Sequence, residues 1–130
     1  MKDDKREITD SNKVIGRGPR NASDYVGRGI SKVTIREFKE AIEDFDKAIE
    51  LDPHHAEDYF FRGIAKSEIG NYKEAIVDYD MAIELNPKCA AAYGNRGIAK
   101  SEIGGDKGAI ADYDMVVKLD PENADRYKKN

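Results

Sequence analysis

The sequence predicts an all-α fold, a solenoid of antiparallel helix hairpins, and three observations carry that expectation. The chain repeats itself in consecutive blocks, residues 22–55, 56–89 and 90–123, each of a length that suits one helical hairpin. Each copy holds two stretches with apolar residues at helical spacing, divided by a turn signal. Small residues recur where the two helices of a hairpin must approach: Gly29, Gly63 and Gly97 in the first stretch, Ala41, Ala75 and Ala109 in the second. A larger side chain there would force the pair apart.

The copies follow one another without a gap. In the second copy Tyr59, Gly63, Ala65 and Ile69 mark the first helix, and Gly70 with Asn71 breaks it. Ala75, Ile76, Tyr79, Ala82, Ile83 and Leu85 form the apolar stripe of the second helix. Asn86 precedes Pro87 and is pushed out of the helical region, which closes the hairpin; Asp52-Pro53 and Asp120-Pro121 repeat the device. In the third copy Gly108 and Asp106 weaken the start of the second helix, so this copy is expected to be the loosest. The second and third copies agree at most positions, yet Phe60-Phe61 becomes Gly94-Asn95.

Residues 1–21 read as a polar tail or a degenerate helix. Ile8, Asp10, Lys13 and Ile15 fall in register with Ile42, Asp44, Lys47 and Ile49, but Glu7, Ser11 and Arg17 spoil the apolar face. Residues 124–130 restart the repeat with Ala124, Asp125 and Tyr127 and then stop, a short cap stub. Solenoids need an end cap over their last apolar stripe, so Ile110, Tyr113 and Val117 are expected to be partly exposed.

Composition narrows the function. With 22 Lys and Arg against 26 Asp and Glu, the formal charge is −4, which argues against a nucleic-acid surface because phosphate binding wants a concentrated basic excess. The first residues hold no apolar run long enough for a signal peptide or a membrane span. One cysteine, Cys89, cannot form an internal disulfide; a cytoplasmic location is the expectation. No phosphate loop is present, since the glycines of the RGI and EIGG segments lack a following Gly-Lys-Ser/Thr. His54 and His55 are adjacent, whereas two ligands on a helix need about one turn between them. The Asp and Glu pairs recur with the repeat, as solvated faces do. The expectation is a non-enzymatic chain with no metal and no cofactor.

The recurring Tyr25, Tyr59 and Tyr93, the three glycines, the paired small residues, the second aromatics Phe45, Tyr79 and Tyr113, and the closing prolines resemble the tetratricopeptide repeat family over residues 22–123. Val116 stands where the family has its second Ala. Arg28, Arg62 and Arg96 depart from a common family Leu, and each has an Asp sixteen positions later, Asp44, Asp78 and Asp112. A repeated ion-pair ladder stitching the hairpins is the expected use, since an Arg fork satisfies a carboxylate twice.

The resemblance implies a superhelix whose first helices line a concave groove. It implies a protein-protein interaction module, with Val26, Ile30, Phe60, Phe61, Ile64, Asn95 and Ile98 in the groove and Glu68 and Glu102 as an acidic margin. For the Phe60-Phe61 pair, ligand contact and packing between repeats both stay open. Co-chaperones of the family clamp a chaperone's C-terminal carboxylate with Lys, Asn and Arg. The matching positions here are Val26, Ile30, Phe61, Ala91 and Asn95, so that ligand is not expected. Two alternatives stand beside peptide binding: a scaffold that self-associates through the uncapped third repeat, and a regulatory subunit of a larger complex.

Overall fold

A computed structural model describes residues 20–128. The helices are α1 (Ala22–Thr34), α2 (Phe38–Leu51), α3 (Ala56–Glu68), α4 (Tyr72–Leu85), α5 (Ala90–Glu102) and α6 (Asp106–Leu119), followed by a 3-10 helix, Pro121–Tyr127. The reading of residues 1–21 as a tail or degenerate helix lies almost wholly outside the described residues. Among these, no helix is long and apolar enough to cross a membrane.

Local chemistry sets the ends. The Asn21 side chain caps α1 by accepting the Asp24 N–H at 3.0 Å, which satisfies one of the donors left open at a helix start. The second helices close when Asp52, Asn86 and Asp120 donate their N–H groups to Ala48, Ala82 and Val116, and the proline that follows each cannot continue the helix. The turns inside the hairpins need a left-handed residue. Gly70 (φ 83°) and Gly104 (φ 87°) supply it in the second and third hairpins, but Arg36 (φ 65°) stands at that place in the first. A side chain held there costs on the order of 1 kcal/mol.

Within the first two hairpins the small residues do what their spacing predicts. A Cβ on Gly29 would lie 2.9 Å from the Phe45 ring, and one on Gly63 would lie 2.7 Å from the Tyr79 ring. Ala41, Phe45 and Ala48, then Ala75, Tyr79 and Ala82, are buried. The third hairpin differs. Gly97 faces the Asp112 Cβ and the Ala109 backbone rather than an aromatic ring, and Tyr113 is only half-buried. Val116 is fully buried in a cluster with Tyr93 and Ala124, and α6 is as long as α2 and α4, at 14 residues.

Consecutive hairpins stack. The first helices α1, α3 and α5 touch one another in series, whereas α2, α4 and α6 make no mutual contacts. Closer spacing on one side curves the stack, so the first helices line its inner face. Beyond α6 the chain does more than a bare stub would. Ala124 is buried against Tyr93 and Val116, and the Tyr127 ring fills the space over Gly94. Ile110 (62% exposed) and Val117 (41%) stay uncovered.

Candidate functional site

The inner face is oriented by the ladder behind it. Arg28 donates to Asp44 through Nε (2.9 Å) and Nη2 (2.7 Å), and the same two bonds recur between Arg62 and Asp78 and between Arg96 and Asp112. The carboxylates are buried, so each needs compensating charge. A second cation helps: Lys32, Lys66 and Lys100 approach the same Asp residues at 3.3–3.4 Å. A further arm crosses between hairpins, with Arg62 Nη1 donating to Asp46 at 2.7 Å and Arg96 Nη1 to Asp80 at 2.8 Å. Burial works against the Arg62 charge, but the hydrogen bonds and charges of Asp78 and Asp46 outweigh it and hold its pKa above the ordinary arginine value. Arg62 and Arg96 thus have all three guanidinium nitrogens engaged by carboxylates, and Arg28 has two. The sequence pattern locates the bonds within hairpins. It does not single out Asp46 and Asp80, although both lie sixteen positions before the Arg they meet.

Of the residues expected in the groove, Val26, Ile30 and Ile64 are half-buried and Ile98 is 40% exposed. Phe61 stacks on Phe45 of the preceding hairpin, with centroids 6.2 Å apart and planes at 14°. Phe60 meets Phe61 edge-on at 5.3 Å and lies tilted to Tyr79 at 6.2 Å. The pair therefore forms an aromatic seam between the first two hairpins, at geometry that adds to area burial, and remains half-buried. Asn95 donates its amide to the Ala91 carbonyl at 3.0 Å, within its own helix. Glu68 reaches Arg36 at 3.4 Å across an exposed pair, worth little in water.

At the last hairpin the face opens into a recess of about 640 Å³, bounded by Gly97, Ile98, Glu102, Ile110, Tyr113 and Tyr127. Of the sequence-derived candidates, Ile98 and Glu102 line it. Val26 and Ile30 lie on the first hairpin, at the other end of the face. Tyr127 is not among those candidates, although it falls one full repeat after Tyr93, a register that points to packing rather than to a ligand.

Other chemistry is sparse. Among the described residues no three of His, Cys, Asp and Glu converge as a metal site would require. His55 Nε2 lies 2.9 Å from Asp52 Oδ2 on the surface. Cys89 is half-buried at the start of α5. Asp58 is buried with Oδ2 unpartnered, and burial pushes its carboxyl pKa up, with His55 opposing.

Tetratricopeptide repeat models match residues 25–55 and 56–89. No curated protein matches the chain. Among solved structures, a crystal structure of MamA is 30% identical, aligns over 88% of this chain and 67% of its own, and superposes with a TM-score of 0.84. The first repeat domain of Spaghetti (RPAP3), bound to the HSP90 peptide SRMEEVD, is 26% identical over 82% of this chain and 86% of its own, with a TM-score of 0.79. YrrB, described as a repeat protein with an unusual peptide-binding site, is 22% identical and covers 98% of this chain and 66% of its own at a TM-score of 0.89; that likeness concerns the fold. Repeat models in adjacent copies, the ladder-braced hairpins and these superpositions agree: the chain belongs to the tetratricopeptide repeat family.

Proposed function

We propose that the chain is a non-enzymatic protein-interaction module that holds an extended segment of a partner along its inner face. The observation that carries this reading is that face itself. Ile30, Ile64 and Ile98 recur one repeat apart along α1, α3 and α5, while one turn earlier Val26 becomes Phe60 and then Gly94, and Phe61 becomes Asn95. A constant frame under a varied surface suits selection among ligands. Glu68 and Glu102 are exposed at its margin, which favours a neutral or basic segment. The Spaghetti domain holds the acidic SRMEEVD; here the apolar and neutral Val26, Ile30, Phe61, Ala91 and Asn95 argue for different ligand chemistry.

Magnitudes place the affinity. Burying roughly 400 Å² of apolar surface gains about 10 kcal/mol gross, against association costs of ~4 to 15 kcal/mol, so a short peptide binds at micromolar strength or weaker. Panning a random peptide library against wild type and Ile98→Glu, with helicity matched by circular dichroism, tests the reading. Enrichment of peptides with an apolar anchor beside a basic residue is expected on wild type and lost on the variant. Equal enrichment on both, or none on either, counts against the groove. Ile98 is the better probe because Phe60 and Phe61 also pack the first two hairpins together.

A second reading is self-association through the third hairpin. It is favoured by the exposure of Ile110 and Val117, whose counterparts Ile42, Ile76, Ile49 and Ile83 are each half-buried.

A further inference from the structure

We propose that the exposed end of the stack, formed by α5 and α6, docks helix α1 of a second copy of this chain, head to tail. The proposal rests on the self-association reading and supplies the opposing surface and its register.

Each internal junction is closed by an Arg Nη1 on the incoming first helix and an Asp on the preceding second helix, Arg62 with Asp46 and Arg96 with Asp80. Among the described residues the series is unfilled at both ends. Asp114 lies one repeat after Asp80, and the position one repeat after Arg96 is Asn130. Asp114 is exposed and makes no ion pair among the described residues. At the other end Arg28 binds Asp44 through Nε and Nη2, as its counterparts do, but its Nη1 meets no carboxylate among the described residues. Among the described residues one end lacks a cation and the other an anion, at the same repeat position, so the two faces are complementary in charge.

Shape follows the same register. Phe45 is covered by Phe61 of the next hairpin, and Tyr79 packs against Ala99. Their counterpart Tyr113 stays half-exposed beside Ile110 in the recess. On α1 the residue in register with Phe61 is Gly27, and the one in register with Ala99 is Ser31. Both are small, and a Cβ on Gly27 would meet nothing within 4 Å. A slim helix face thus stands opposite an unfilled recess with an aromatic wall.

The tail already performs part of this docking. Ala92 completes a cluster with Tyr59 and Ala82, and Ala124 completes the corresponding cluster with Tyr93 and Val116. The tail's short 3-10 helix leaves Asp114 and Val117 exposed. Helix α1 of a second copy would displace it, keep the first-turn contacts and continue along the uncovered face. Because the two surfaces differ, the contact adds copies in an open row rather than closing a pair.

Sedimentation velocity on the full chain, from micromolar to millimolar, tests this with two blocked variants whose helicity is checked first. Gly27→Glu blocks the head at a position open to solvent, and Asp114→Arg blocks the tail face by charge reversal opposite Arg28. Wild type is expected to form a concentration-dependent series beyond the dimer. Each variant alone is expected to stay monomeric, and an equimolar mixture to form a heterodimer and nothing larger. A wild-type monomer at every concentration overturns the self-association reading as a whole. Dimers of Gly27→Glu alone, or a mixture that stays monomeric while wild type associates, overturn the head-to-tail register and leave self-association standing.

Discussion

At the scale of single residues, Asp58 holds the one buried side-chain oxygen without a hydrogen-bond partner among the described residues. It stands in register with Ala92, which is fully buried, and keeps an unpartnered Oδ2. Burial raises its carboxyl pKa, so the native state holds the proton more tightly than the unfolded chain. Stability therefore falls as pH rises from the ordinary carboxylate range through the raised native value. Asp58→Ala is expected to raise neutral-pH stability by about 1 kcal/mol and to flatten that pH dependence, as read from urea midpoints across the acid range. An unchanged or lower midpoint at neutral pH would contradict it. The sequence exposes the Asp-for-Ala difference between copies but not its burial, because burial depends on how the hairpins stack. Arg36 is similar: register alone aligns it with Gly70 and Gly104, yet only the backbone angle identifies it as held left-handed.

At the scale of elements, helix limits are legible because the repeat register, the turn glycines and the closing prolines all point to the same boundaries. Close approach is legible too, and it separates glycines that look alike in sequence. Gly63→Ala drives a methyl into the Tyr79 ring and is expected to cost about 1–3 kcal/mol. Gly27→Ala meets open space in a helix and is expected to stabilise by about 0.5–1 kcal/mol. Thermal melts of both variants check the contrast, and a destabilised Gly27→Ala would show that this face is already covered. The third hairpin is less legible. Tyr113 leaves the position of Phe45 and Tyr79, and Tyr127 fills the space over Gly94, because among the described residues no further hairpin packs on the last aromatic as Phe61 packs on Phe45. The cross-hairpin arms to Asp46 and Asp80 escape for a related reason: the pairing exists only once the stack has its curvature.

At the scale of the whole molecule, stability in a stacked array is approximately a sum of hairpin and junction terms. Here the junctions are built from a repeated ion-pair arm and, between the first two hairpins, an aromatic seam. The candidate residues differ in their surroundings: Phe60 and Phe61 share their surface with packing, Asn95 bonds within its helix, and Ile98 and Glu102 open onto the recess. The family resemblance, rather than spacing, points to the inner face of the molecule, since in that family the first helix of each copy lines the groove. It could not apportion packing and exposure among these candidates, which depends on neighbours from other copies.

The most direct test is a ¹⁵N–¹H titration of the chain with a peptide enriched by panning. Binding along the inner face predicts saturable shifts along α1, α3 and α5, centred on Val26, Ile30, Ile64, Asn95 and Ile98. Shifts confined to the outer helices around Val77 and Met81 would contradict it.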